Sequence, residues 1–190
     1  MALISITPEA SLNPGQLQNL RNTAAAVAQA NVRAATDVNL TVRPLLPTDL
    51  YGAVTANFAN QAAISAASTV TQETGLVAVP NSAAWVFFGF ARLTSAPAIT
   101  ELWIADGSAT YAKIRLTPLD AQSTNFRREG YFNPVYFPAT VKPVLSYVAN
   151  AAVTAKAEVF ELIGVVAEVP NNVRNQDPIA ANQPPNTTTG

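Results

Sequence analysis

Hydrophobic and polar positions in the second half of the chain alternate with the two-residue period of β-strands, in several short runs. The run 84–93 is instead apolar on both faces, which is typical of a central strand in a sandwich. The runs 99–105 and 110–116 flank Asp106-Gly107, a dipeptide that favours a hairpin between two strands. Further runs at 131–137, 141–148 and 153–169 continue the series. The pattern predicts a mainly β, antiparallel fold.

The strand after this hairpin shows which of its side chains face the core. Its apolar positions Ala112, Ile114 and Leu116 alternate with the charged Lys113 and Arg115. This alternation is typical of an antiparallel strand with one face buried and one face in water. We therefore expect the three apolar side chains to point into the protein.

The first segment of the chain has a helical period instead. Asn13 precedes Pro14, so a capping residue is followed by proline at the first helical position, and a helix is predicted over about 14–36. One narrow apolar stripe follows this helix, formed by Leu17, Leu20, Ala24 and Val27. A helix with so thin a stripe needs a partner surface, which is either the rest of this chain or a neighbouring molecule.

The distribution of aromatic residues divides the chain into four segments. Almost all aromatic residues fall in 76–169, which we predict to be an antiparallel β-sandwich or jelly-roll-like body. Residues 1–50 are predicted to form an N-terminal arm containing the helix, and its residues 1–36 are predicted to serve contact with other molecules more than folding. Residues 51–75 form a neutral polar connecting segment, in which helix and extended chain remain equally open. Residues 170–190 are predicted to be a flexible tail.

The composition excludes several kinds of catalytic site. The chain has no histidine and no cysteine, so Ser-His-Asp and Cys-His catalysis and thiolate metal sites are impossible. Carboxylates remain, but none stands in a recognisable motif, and we expect them to be solvated surface groups. We therefore predict a protein that is not an enzyme, with no catalytic residue, no metal and no cofactor. The carboxylate pairs considered were Glu158 with Glu161, Glu101 with Asp106, and Asp120 with Glu129.

The charge pattern argues against nucleic acids and membranes as partners. The net charge is −1, and charged residues make up 12% of the chain, half of the usual share of about 25%. Arg127 and Arg128 beside aromatic residues form one candidate patch for single-stranded nucleic acid, but one arginine pair is too little. Apolar runs are too short for a membrane span, and the first residues do not read as a signal peptide. We expect synthesis in a cytosol.

The scarcity of charge favours contact with other macromolecules. Residues 44–91 carry only two charged side chains, Asp49 and Glu73, and neutral polar groups cost less to bury against a partner than charges do. The arm and tail add extended segments able to wrap a neighbour or pair with it. We therefore predict protein partners and a homo-oligomer, with the stripe Leu17, Leu20, Ala24 and Val27 as a candidate contact.

The two tryptophans differ in their surroundings. Trp85 lies on the doubly apolar run and is predicted to be core. Trp103 shares a strand face with Glu101, so core and surface are equally open, and it is the remaining candidate for partner binding. With Asp106 and Asn125 it would also form a candidate sugar-stacking site. A carbohydrate-binding module or lectin is therefore an alternative, although carbohydrate is the less favoured partner.

Three stretches carry a resemblance to a known class of protein. They are Ile-Thr-Glu-Leu-Trp-Ile-Ala-Asp-Gly (99–107), Glu-Gly-Tyr-Phe-Asn-Pro-Val-Tyr-Phe (129–137) and Phe-Glu-Leu-Ile-Gly-Val-Val-Ala-Glu-Val (160–169). They resemble the β-sandwich or jelly-roll domains of virion proteins in tailed bacteriophages, most of all capsid cement or decoration proteins. The resemblance implies a non-enzymatic virion protein, made in the host cytoplasm, that binds and stabilises a capsid lattice. Its partner would be the major capsid protein or another virion protein. A coat jelly roll, a connector and a fibre domain remain alternatives.

Overall fold

The described strands form two five-stranded sheets, in agreement with the predicted mainly β sandwich. The computed structural model describes residues 2–32, 40–52, 63–93, 97–121, 127–155 and 160–169. Sheet A has the spatial order β1 (Leu3–Ser5), β7 (Thr110–Arg115), β6 (Ile99–Ala105), β9 (Val144–Ala149) and β4 (Val70–Gln72). Sheet B has the order β2 (Thr7–Pro8), β8 (Arg128–Phe137), β5 (Ala83–Arg92), β10 (Phe160–Glu168) and β3 (Thr41–Pro44).

The helical elements lie outside the sheets. They are α1 (Pro14–Ala30), the short α2 (Pro47–Tyr51), and two 3-10 turns at Glu9–Ser11 and Thr117–Ala121. Helix α1 begins as predicted: the Asn13 side chain accepts a hydrogen bond from the Gln16 amide, and the Gln16 side chain accepts one from the Asn13 amide. It ends at Ala30, earlier than expected, and residues 33–39 are outside the described residues.

The strand order is that of a jelly roll. Strands β3 to β10 alone fill two four-stranded sheets, with the orders β3-β10-β5-β8 and β4-β9-β6-β7. Connections therefore pass repeatedly from one sheet to the other, as in the double Greek key of jelly rolls. Strands β1 and β2 add a fifth member on the β7 and β8 side, and β1 pairs with β7 in parallel.

Strand β5 is the centre of sheet B and explains its doubly apolar sequence. All ten of its residues are buried. Trp85, Phe87 and Phe90 pack in the core between the sheets, as predicted for Trp85, while Val86 and Phe88 pack on the opposite face. The strand is therefore buried on both sides, which removes the alternation that a half-exposed strand shows.

Sheet A shows the predicted alternation. Ala112, Ile114 and Leu116 are buried, whereas Lys113 is partly exposed and Arg115 is exposed. Strands β6 and β7 form the predicted hairpin around Asp106 and Gly107, whose ends are joined by the bond from the Asp106 amide to the Ala109 carbonyl.

The predicted division into arm, connecting segment and body does not match the packing. Strands β1, β2 and β3 from residues 1–50 are members of the two sheets, and Ile6 is buried in the core at 2% exposure. Strand β4 in the 51–75 segment closes one edge of sheet A, so this segment is not only a connection. Two- to four-residue strands carry too little periodicity to be distinguished from an extended arm. The tail 170–190 and residues 53–62 are outside the described residues.

Candidate interaction surface

The outer face of sheet B is covered by the chain itself. Helix α1 packs on β5, β8, β10 and β3, and its Ala24 and Ala28 are fully buried there. The stripe predicted to bind a partner forms this contact: Leu17, Leu20, Ala24 and Val27 all belong to the cluster between helix and sheet. The expectation of a docking surface for the helix is confirmed, but the surface described is intramolecular. Binding of a partner by these four residues stays a prediction, because in this structure their stripe contacts sheet B of the same chain.

The outer face of sheet A is different, because the long helix α1 packs on strands of sheet B. We call this surface the open face. It contains aliphatic, aromatic, charged and neutral polar side chains on four neighbouring strands. Its members are Val70, Gln72, Glu101, Trp103, Lys113, Arg115, Ser146 and Val148.

Trp103 lies near the middle of the open face. Its Cα partners are Lys113 on β7 and Ser146 on β9. Its indole Nε1 donates a hydrogen bond to Glu101 Oε2 at 2.8 Å, and Lys113 Nζ lies 3.7 Å from the ring centroid. A cation so close to an indole ring is attracted to its π-electrons. The ring is thus a half-buried surface group held in one orientation, which settles the choice between core and surface that the sequence left open.

The candidate sugar site is not assembled among the described residues. The Asp106 carboxylate accepts bonds from the amides of Ser108 and Ala109 at 2.7 and 2.6 Å, and from the Ser108 and Tyr111 hydroxyls. The Tyr111 hydroxyl and these turn donors hold the pKa of Asp106 well below its usual range. Its acceptor capacity is therefore used inside the turn. One face of the Trp103 ring is taken by Lys113. Asn125 lies outside the described residues.

The described carboxylates of the candidate catalytic pairs are engaged with other side chains. Glu101 accepts from Trp103, Asp120 pairs with the buried Arg92, and Glu129 and Glu161 both pair with Arg127. Glu158 is outside the described residues. Within the ranges that the structure describes, no group of three or more potential metal ligands occurs.

The candidate nucleic-acid patch is also divided by the fold. Arg127 is exposed but forms ion pairs with two carboxylates, and Arg128 is buried at 3% exposure. Tyr131 and Phe132 are buried as well, so they offer no stacking surface. In the described part of the chain, no helix is both long and apolar enough to cross a membrane.

A buried carboxyl group was missed by the sequence analysis. Glu73 follows β4 and is only 3% exposed, and its amide donates to the Leu145 carbonyl at 2.8 Å. Burial raises the pKa of Glu73 to about 7, against an ordinary value of 4.5, and burial likewise raises the pKa of its neighbour Tyr147. The sequence held a signal in hindsight, since Glu73 is one of two charged residues in the neutral span 44–91.

Comparisons with known proteins leave the family open. No family model matches the chain, and no curated protein matches it. Among solved structures, it is similar to the dimeric latent PorU from Porphyromonas gingivalis, at 11% identity over 75% of this chain. The match covers 14% of the PorU chain, with a TM-score of 0.27, and at that TM-score the likeness carries no argument.

Proposed function

We propose that this protein is a non-enzymatic virion structural protein that binds and stabilises a capsid lattice through the open face of sheet A. One observation carries the proposal: a jelly roll covers one outer sheet face with its own helix and presents the other, with Trp103 fixed near its centre. Jelly rolls occur in capsid proteins and in lectins, so the choice between these rests on the surface and not on the fold.

The chemistry of the open face suits a protein partner. Tryptophan and arginine are enriched among the residues that dominate binding energy at protein interfaces, and Trp103 is already immobilised by Glu101 and Lys113. A side chain held in its bound orientation loses less entropy on association. Val70 and Val148 add apolar area, and Gln72 and Ser146 are neutral polar groups that are less costly to desolvate than charges.

The charges of the open face indicate the sign of the partner surface. Lys113 and Arg115 contribute two cations, and Glu101 contributes one carboxylate that is bonded to Trp103. The face thus has a small positive excess on a chain with a net charge of −1. A neutral to mildly acidic surface on the capsid protein is the best complement.

A second candidate function, a coat jelly roll, is favoured by one specific observation. Strands β3 to β10 form a complete eight-stranded jelly roll, which is the architecture of many viral coats. A coat protein would be the most abundant protein of the particle and would form the lattice itself, whereas a cement protein binds to a lattice made of another chain.

Quantitative mass spectrometry of particles purified from the biological source of this sequence tests the proposal. A cement protein should be present in fixed ratio to a more abundant coat protein, and a coat protein should itself be the most abundant chain. The particles should then be stripped of the protein and supplied with recombinant chains. Trp103→Ala should rebind weakly, while Gln18→Ala, an exposed position on α1, should rebind normally. Absence of the chain from particles would refute the function, and full rebinding of Trp103→Ala would refute the open face as the contact.

A further inference from the structure

The N-terminal residues 2–32 pack on a jelly roll whose eight strands all lie outside this segment. All eight strands of the jelly roll lie in 41–169, and residues 2–32 supply only β1, β2, a 3-10 turn and α1. This unit, which we call the N-terminal unit, binds along one side of the sandwich and over the outer face of sheet B.

The N-terminal unit lies in a groove on the body, by which we mean the described residues of 41–169. Strand β1 pairs with β7 through three residue pairs, and β2 pairs with β8 through two. Between them Ile6 enters the core, and its amide donates to the Arg115 carbonyl at 3.0 Å. A side chain at Gly130 would come within 2.8 Å of Ile6, so the body is shaped to admit this residue. The groove is therefore complementary to this particular sequence.

Two clefts lie along the seam between the N-terminal unit and the body. One, of about 310 Å³, is lined by Ile4, Leu12 and Leu20 of the unit and by Tyr131 and Phe132 of β8, with further residues of both parts. The other, of about 460 Å³, lies between α1 and the residues Phe88, Ile163 and Val165 of sheet B. Detaching the N-terminal unit breaks the β1–β7 and β2–β8 pairings and the α1 contact but leaves the eight strands of the jelly roll paired, so it costs less than opening the jelly roll itself.

We propose that the N-terminal unit exchanges between copies, so that residues 2–32 of one chain occupy the groove of a neighbouring copy. An opened chain exposes an apolar sheet face and two strand edges, and the surface that best covers them is a second copy of the same unit. The N-terminal unit makes the same contacts whether it binds its own chain or a neighbouring copy. The local concentration of the protein therefore decides whether the closed monomer or the exchanged form predominates. Residues 33–39 can span at most about 25 Å, which restricts exchange to adjoining copies. The exchange does not depend on the identity of any capsid partner.

The absence of cysteine from the chain allows a direct test. Ser5 and Arg115 are Cα partners on β1 and β7, and both side chains are exposed. Full-length Ser5→Cys and Arg115→Cys chains with tags of different mass should be mixed at high concentration, oxidised mildly and separated on a non-reducing gel. A disulfide heterodimer is expected, and its yield should rise with protein concentration during mixing.

Two further preparations make the outcome decisive. A mixture of Ser5→Cys with Ser108→Cys, an exposed position beyond the far end of β7, reports random collisions and should give severalfold less heterodimer. The double variant Ser5→Cys/Arg115→Cys should form the bond within one chain at high dilution. Exchange is refuted if the double variant closes its internal bond while the mixed single variants give no more heterodimer than the collision control. Failure of the internal bond would overturn the β1–β7 register on which the proposal rests.

Discussion

The outer faces of the two sheets have opposite characters. Sheet B presents Val86, Phe88 and Ala167 outward, and α1 covers them. Sheet A presents Glu101, Trp103, Lys113 and other mixed side chains, which are partly exposed, and α1 lies on the other sheet. A chain with few charges can keep an apolar face out of water only by covering it, whereas a mixed face tolerates water until a partner binds. The mixed outer face of sheet A is therefore the surface that we propose for a partner.

The largest expected loss of stability comes from a substitution that tests which face of sheet A lies in the core. Ile114→Asp places a charge at a fully buried site, and we expect a loss of about 4 kcal/mol in the free energy of unfolding. Lys113→Asp, one residue away on the open face, should cost about 1 kcal/mol or less, including the lost contact with Trp103. Urea denaturation of both variants measures the difference. Equal midpoints would mean that the inner and outer faces of β7 are misassigned.

The next effect tests whether α1 covers sheet B in solution. Ala28→Asp would bury a carboxylate between the helix and the sheet, with an expected cost of about 3 kcal/mol. Ala26→Asp is the matched control, since it makes the same chemical change on the exposed side of the same helix. It should cost about 0.7 kcal/mol or less, from helix propensity. Similar melting temperatures for both variants would show that the helix is not docked.

A third prediction concerns the buried edge of sheet A, where Glu73 lies. Its folded pKa of about 7 exceeds its ordinary value of 4.5, so the folded state retains the proton to higher pH than the unfolded state. The contribution of Glu73 to stability is therefore fully present below pH 4.5 and is lost as the pH rises from 4.5 through about 7. Glu73→Gln should stabilise the protein by about 2 kcal/mol at pH 8 and change little at pH 4.

Urea midpoints across that pH range test the Glu73 prediction. Glu9→Gln, at an exposed carboxyl group, serves as the control and should follow the wild type. If the urea midpoints of Glu73→Gln also follow those of the wild type across the pH range, then Glu73 does not titrate in the folded core.

The smallest effect on stability tests the open face. Trp103→Ala removes a half-buried ring from the surface, so we expect a loss of about 1 kcal/mol, far less than for a core aromatic residue. The same substitution should weaken rebinding to particles strongly. A loss of several kcal/mol measured by urea denaturation would place Trp103 in the core and remove it from the proposed contact.

Several features of the fold were predictable because their signals are local. The cap at Asn13, the hairpin at Asp106 and the inward positions of β7 depend on neighbours within a few residues. Other features depend on distant parts of the chain. Ile6 reads as part of an extended arm, yet it is buried because Gly130, far along the sequence, has no side chain and leaves space for it. The burial of Glu73 likewise depends on β9.

The candidate surface was predicted only in part. Trp103 was selected because it shares a strand face with Glu101, and the structure places both on the open face. The stripe Leu17, Leu20, Ala24 and Val27 was correctly identified as a docking surface, but its partner is sheet B of the same chain. An apolar stripe encodes the need for cover, and it does not specify which molecule provides it.

The sequence by itself determined that this protein is mainly β, that β5 is buried on both sides, and that catalysis through histidine or cysteine is impossible. These properties follow from periodicity and composition, which are read along the chain. Only the tertiary structure decided that the strands form a jelly roll, that α1 covers sheet B, and that Trp103 lies on the open face of sheet A. The physical reason is that strand order and face coverage arise from contacts between residues far apart in sequence, which a local pattern does not encode.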